Sequence, residues 1–131
     1  MLLACLVALG LLSEAAGSST VYGPTRTAAC MRAAGAEVDR APGIVSETFP
    51  EIRSAIYWHL GSTETINIMF TRNARAGVKL AEGLRRTAYS LGLTTAEVGS
   101  TVKQLGNAVW TNDVFPGPAD KQNDLIERCL R

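Results

Sequence analysis

The sequence is poor in the residues from which most metal sites and many active sites are built. It contains one histidine and three cysteines among 131 residues, so a histidine cluster for a transition metal is excluded, and no Cys-x-x-Cys pair occurs. The Gly-x-Ser-x-Gly nucleophile motif, the phosphate-binding loop and the dinucleotide fingerprint are also missing. We therefore expect no metal and no cofactor, and the sequence favours a protein that is not an enzyme.

The sequence also lacks a strong excess of charge of one sign. Its net charge is +1, and removal of an apolar leader that contains Glu14 takes it to +2. Nucleic-acid-binding domains usually have a pI above about 9 and clustered basic residues, so we do not expect a nucleic-acid partner. The hydrophobic fraction of 47% and the charged fraction of 19% are typical of a folded domain, and the length has room for one.

Long apolar runs are confined to the N-terminus. Residues 2–12 are almost entirely apolar, and small or polar residues follow at 13–19, which is the order found in a signal peptide and its cleavage zone. The run is shorter than the roughly 20 apolar residues that a membrane span needs. We predict a signal peptide over residues 1–17, a linker over 18–26 and a single domain over 27–131 that is secreted, periplasmic or attached to the cell envelope.

Two features keep alternatives open at this end of the chain. No Lys or Arg precedes the apolar run, which is consistent with a true start farther upstream. The residues Leu2-Leu3-Ala4-Cys5 resemble a bacterial lipobox, in which the cysteine is lipidated after cleavage. The apolar run continues for seven residues past Cys5, where a lipoprotein normally turns polar, so cleavage without lipidation is the favoured interpretation.

The spacing of apolar residues predicts a small α+β domain, because it changes between a period of two and one of three to four. The predicted strands lie near 55–60, 66–70 and 107–111, with a further extended piece near Val38. The predicted helices lie between Thr25 and Gly35 and near 74–91, 95–105 and 119–130. These elements predict a two-layer sandwich with helices on one face of a three- to four-stranded, mainly antiparallel sheet. Tyr57 and Met69 are then expected on the uncovered face.

Two cysteines remain after a leader that contains Cys5 is removed. Cys30 and Cys129 each fall on the apolar side of a predicted helix, and export exposes thiols to oxidation. This pattern predicts a disulfide between them, the alternative being two separate buried thiols.

Three short motifs resemble those of small exported proteins of GC-rich bacteria. They are the residues CMRAAG at 30–35, GNAVW at 106–110 and ERCL at 127–130. The resemblance spans the mature domain and attaches no activity to it. It implies an exported location and the pairing of Cys30 with Cys129.

Two groups of polar residues are candidates for function. His59 lies near the turn that carries Glu64, and a histidine with a carboxylate is the minimum for a small hydrolase-like enzyme; a surface histidine beside a turn is the simpler interpretation. The second group forms a basic stripe on the longest predicted helix and consists of Arg72, Arg75, Lys79 and Arg86. Such a stripe suits an anionic lipid or a cell-envelope polymer, or is a solvated outer face.

These observations favour a non-enzymatic binding or envelope-associated protein. Its partner is a cell-envelope component or another protein, and the mature form is expected to have no transmembrane span. The alternative is a small enzyme that uses His59 with a nearby carboxylate.

We predict that the mature chain begins near residue 18, because small residues follow the apolar run. Intact mass spectrometry of the protein isolated from its own host measures this directly. A mass that retains residues 1–17 on secreted protein would contradict the prediction, and a lipid adduct on Cys5 would support the lipoprotein alternative.

Overall fold

The computed structural model describes residues 20–40, 49–112 and 117–131, so the expected leader at 1–17 lies outside the described residues. The helices are α1 (Pro24–Ala33), α2 (Ala74–Ser90), α3 (Thr95–Thr101) and α4 (Asp120–Leu130). The strands are β1 (Glu37–Arg40), β2 (Ile52–His59), β3 (Thr65–Thr71), β4 (Val102–Leu105) and β5 (Ala108–Asn112). The predicted α+β class is confirmed.

The five strands form one antiparallel sheet in the order β1-β2-β3-β5-β4. The central pair is the predicted hairpin, whose register places Ile56 opposite Ile68 and Trp58 opposite Ile66. At the outer edge of β1, the Arg32 guanidinium donates from Nε and Nη2 to the Val38 carbonyl, at 3.0 and 2.7 Å. That edge carbonyl is therefore satisfied within the chain.

The strand β4 was not predicted, because residues 95–105 were assigned to a single helix. The helix α3 begins with the expected capping box between Thr94 and Glu97 but ends at Thr101. Val98 and Val102 are four residues apart and both buried, so their spacing fits a helix as well as a helix followed by a strand. The turn that follows decides between these two structures. Leu105 pairs with Ala108 across a two-residue turn, and such a hairpin requires the residues before the turn to be extended.

Both faces of the sheet are covered by helices, which differs from the expected single helical layer. One face carries Ile56, Ile68 and Trp110, which pack against α1 and α4. The opposite face carries Ala55, Met69 and Val109, which pack against Leu80 and Ala81 of α2.

Met69 was expected on an uncovered face and is instead buried beneath α2. Tyr57 lies on the same face in the half-buried part of β2. The expectation failed because β3 is apolar on both sides at its centre, with Ile68 and Phe70 on one face and Met69 between them. Such a strand needs cover on both sides.

The disulfide between Cys30 and Cys129 is confirmed. It joins α1 to α4, whose axes lie side by side on the Trp110 face, and the two Cα atoms are 5.4 Å apart. Met31 and Ile126 pack close to it in the same core and are fully buried. The bridge therefore connects the first and last described helices through a core that both of them help to form.

Asn107 is a buried polar residue that connects three parts of the chain. Its side chain donates to the carbonyls of Tyr22 and Thr71, at 2.9 and 2.8 Å, and accepts from the Tyr22 N–H at 2.6 Å. Its own carbonyl accepts from the N–H and the hydroxyl of Thr71. Tyr22 falls in the expected linker at 18–26, but it is held by these bonds, and α1 already begins at Pro24.

The turn at Gly106 sets how closely α2 approaches the sheet. Gly106 has a φ of +56°, as the first turn residue of a two-residue hairpin requires. Its carbonyl oxygen lies against Gly77 of α2, where an added Cβ would stand 2.5 Å from it. A side chain at position 77 would therefore push the start of α2 away from the hairpin.

Reduction of the Cys30–Cys129 disulfide is expected to lower the melting temperature markedly. The two residues are 99 positions apart, and closing a loop of this length is worth about 4 to 5 kcal/mol in the chain-entropy model. Thermal unfolding followed by circular dichroism, with and without reductant, measures the effect. The Cys30→Ser/Cys129→Ser variant should match the reduced protein, and unchanged melting in both would refute the prediction.

Asn107→Asp is expected to destabilise the fold by about 2 to 4 kcal/mol, because the carbonyls of Tyr22 and Thr71 lose their donor in a buried site. Urea unfolding provides the measurement. Asn123→Asp is the matched control, since Asn123 is half-buried and would keep its acceptor for the Trp110 Nε1–H while losing one bond to the Pro118 carbonyl. An equal loss of stability in the two variants would contradict the special role of Asn107.

Candidate functional site

An open groove of about 650 Å³ lies between the start of β2 and the first half of α2. The chain contributes to it from three places: the bend that leads into β2, the junction between β3 and α2, and the outer side of α2. Its lining residues are Pro50, Glu51, Arg53, Arg72, Asn73, Arg75, Ala76, Val78, Lys79 and Glu82. Four of these are cations and two are carboxylates, so the groove is cationic.

Three of the four cations belong to the stripe that the sequence predicted. Arg72, Arg75 and Lys79 all line the groove, whereas Arg86 lies about two helical turns beyond Lys79 and does not. Arg86 is exposed on the same helix. The stripe therefore divides into a part that forms the groove and a part that continues along α2.

The fourth cation, Arg53, was not predicted as a site residue. It is the extra residue of a bulge in β2, where Ile52 pairs with Thr71 but Ser54 already pairs with Phe70. A bulge turns a side chain out of the regular alternation of the strand. The pattern of apolar residues carries no sign of this bulge, so only the pairing with β3 reveals that Arg53 reaches the groove.

Two of the arginines sit at an electrostatically unfavourable place. Asn73 caps α2 by accepting from the Ala76 N–H at 2.9 Å, and the first turn contains no acidic residue. Arg72 precedes this cap and Arg75 lies in the first turn, where the helix dipole is positive and favours an anion. The positive end of α2 and the two guanidinium groups therefore act together on the groove, and an anion there would relieve their mutual repulsion.

One ion pair fixes the base of the groove. The Lys79 ammonium lies 3.2 Å from the Glu51 carboxylate. The pKa of Glu51 is lowered by a hydrogen bond from the Glu51 backbone N–H and by the contact with Lys79. The pKa of Glu51 in the folded protein lies below its ordinary value. The pair therefore contributes to stability at pH values above the ordinary pKa, and this contribution is lost as the pH falls through the lowered pKa.

The arginines of the groove remain available for a ligand. None of Arg53, Arg72 and Arg75 forms an ion pair with a residue that the structure describes. Glu82, the second carboxylate, lies seven residues along α2 from Arg75. The positive charge of the site is therefore concentrated on three planar guanidinium groups, each able to donate two parallel hydrogen bonds to a phosphate, sulfate or carboxylate.

His59 has a carboxylate partner, but a different one from the predicted Glu64. Its Nε2 lies 3.0 Å from Oδ2 of Asp39 on the neighbouring strand β1. The Glu64 carboxylate accepts from the side-chain amide of Asn112 at 2.6 Å. His59 ends β2, about 20 Å along the strand from Arg53, so it takes no part in the groove. A histidine with a carboxylate can act as a general base, but no other predicted site residue is placed beside this pair by the contacts of His59.

A Ser-x-x-Lys spacing, which occurs in some enzymes with a serine nucleophile, is present at Ser100 and Lys103. In enzymes that use this motif, one helix brings the two side chains together. Here α3 ends at Thr101 and Lys103 lies in β4, while the Ser100 hydroxyl donates to the Glu97 carbonyl at 2.9 Å. The spacing therefore does not place the two groups on one helix face.

Within the described ranges, no group of three or more His, Cys, Asp or Glu side chains is placed to hold a metal ion. The helices of those same ranges are also too short or too polar for any of them to cross a membrane. Comparisons with protein-family models, curated proteins and solved structures give no match for this chain. Any assignment of function therefore depends on the geometry of the groove.

Proposed function

We propose that the chain is an exported, non-enzymatic domain that binds an anionic component of the cell envelope in the groove between β2 and α2. The observation that carries this proposal is the convergence of Arg53 in β2 with Arg72 and Arg75 at the start of α2 on one concave surface, without an ion-pair partner among the described residues. Arginines that served only as solvated surface residues would not be expected to cluster around one groove.

The open shape of the groove indicates the kind of ligand. The groove has a volume of about 650 Å³ and is exposed along one side, so it has room for charged groups of a larger molecule while the rest of that molecule remains outside. Phosphate, sulfate and carboxylate groups all fit guanidinium donors. The ligand class is therefore an anionic polymer or headgroup rather than an enclosed small substrate.

Two observations support the exported location in this proposal. The disulfide between Cys30 and Cys129 is compatible with an oxidising compartment, where structural disulfides persist. The apolar residues 2–12 followed by small residues have the order of a cleavable leader. An anionic envelope component is a ligand that such a protein meets after export.

The Arg72→Gln/Arg75→Gln variant is expected to weaken binding of polyphosphate, used as a soluble polyanion probe, by about 10- to 100-fold, because each charge-assisted hydrogen bond is worth roughly 1.5 kcal/mol or less at an open site. Glu51→Gln should act in the opposite direction and strengthen binding roughly 3-fold, since it removes a carboxylate and releases Lys79. Isothermal titration calorimetry at low salt measures both effects.

The matched control is Arg26→Gln/Arg128→Gln, which removes two exposed arginines from α1 and α4 on the other face of the sheet. Glu127→Gln, which breaks the pair between Glu127 and Arg131, is the corresponding control for Glu51. Equal changes in the groove variants and their controls would show that binding follows net charge alone, and the proposed site would then be wrong.

A further inference from the structure

The outward side of α2 exposes large apolar residues next to its cations. Four large hydrophobic side chains are exposed in the described part of the chain. One is Val21, and the other three belong to α2 or its C-cap: Val78 at 43% exposure, Tyr89 at 47% and Leu91 at 75%. Single exposed apolar residues are ordinary, but Val78 and Tyr89 lie on the same side of α2, whereas Leu91 at the C-cap lies on the side of Leu80.

The cations and two of these apolar residues share one face of the helix. At 100° per residue, the positions on this face span about 100° and are Arg75, Val78, Lys79, Glu82, Arg86 and Tyr89. The buried residues Gly77, Leu80, Ala81 and Ala88 lie on the opposite side, toward the sheet. This outer face of α2 therefore points away from the sheet; its Lys79 pairs with Glu51, and Glu82 is its one acidic residue.

A soluble polyanion would use the cations of this face but gain nothing from Val78 and Tyr89. A lipid bilayer uses both kinds of residue: basic side chains are attracted to anionic headgroups, while tyrosine and aliphatic side chains enter the interfacial region. A helix of 17 residues is about 25 Å long, which is enough to contact several headgroups when it lies parallel to the surface.

We propose that the domain docks on an anionic lipid bilayer through the outer face of α2, with headgroup phosphates in the groove and with Val78 and Tyr89 in the interfacial region. This inference rests on the proposed function and names lipid as the anionic component. Leu80, Ala81 and Gly77 attach α2 to the sheet from its inner side, so the outer face is already directed outward and docking requires no rearrangement of the fold.

The test is flotation of the wild-type protein with vesicles of phosphatidylglycerol and phosphatidylcholine, compared with vesicles of phosphatidylcholine alone. We expect binding only to the anionic vesicles and weaker binding as salt is raised. The variant Tyr89→Ser, which lies on the outer face but outside the groove, should weaken vesicle binding about 5- to 10-fold and keep its affinity for polyphosphate. Val21→Ser, which changes an exposed apolar residue outside α2, should bind vesicles normally.

A second measurement reports insertion directly. Trp58 and Trp110 are buried, so in Tyr89→Trp the new tryptophan would be the one exposed to brominated lipid. Its fluorescence should be quenched by brominated phosphatidylglycerol vesicles, whereas Val21→Trp should not respond.

The outcomes separate the two proposals. Binding to polyphosphate without binding to anionic vesicles would overturn lipid docking and leave the groove as an anion site. Vesicle binding that Tyr89→Ser does not weaken would also overturn it. If the wild-type protein binds neither probe, the proposed function itself fails.

Discussion

The buried side chain of Asn107 is the interaction on which the geometry of the candidate site depends. It binds the N–H and carbonyl of Tyr22 and the carbonyl of Thr71, while its own carbonyl holds the N–H and hydroxyl of Thr71. Thr71 ends β3 and directly precedes Arg72, and its hydroxyl also reaches the carbonyl of Asn73, the cap of α2. The position of the first arginine of the groove is therefore set by a hairpin turn that is distant in sequence.

The same turn fixes the helix that carries the other cations. The Gly106 carbonyl rests against Gly77, so that α2 approaches the sheet closely at its second turn. Leu80 and Ala81 then complete the contact with Met69 and Val109. Because these apolar contacts occupy one side of α2, its basic residues can point only outward, toward the groove and along the outer face. The packing of α2 against Met69 and Val109 therefore also determines where the basic residues of the site lie.

The sequence was sufficient for most of the elements, β4 excepted, but not for their arrangement in space. Alternation at Ile56, Trp58, Ile66 and Ile68 predicts the central hairpin, and the spacing of three and four predicts α2 nearly to the residue. Local patterns contain no information about which face of a sheet a helix covers, so the second helical layer was missed. Burial of Met69 beneath α2 is decided by contacts with residues that lie far along the chain.

The candidate site could likewise be predicted from the sequence only in part. The stripe of Arg72, Arg75 and Lys79 is visible as a periodic pattern on a helix, and the structure gathers these three residues in the groove. Arg53 reaches them through a bulge that depends on the pairing of β2 with β3, which single-sequence patterns do not encode. Once Asn73 is recognised as the N-cap of α2, the sequence also shows that Arg75 lies in the first turn, where a positive charge is unfavourable. A residue that lowers helix stability in this way indicates a role in function.

The disulfide determines what happens to the domain when its backbone is cleaved. A bond between Cys30 and Cys129 encloses almost every loop of the domain, including both connections that border the groove. A protease that cuts the backbone once, anywhere between these two cysteines, opens a ring and releases no fragment. The two pieces stay joined through α1 and α4, and the core on the Trp110 face can continue to hold them in register. A protein built in this way tolerates a single cleavage without losing its parts to the surrounding medium.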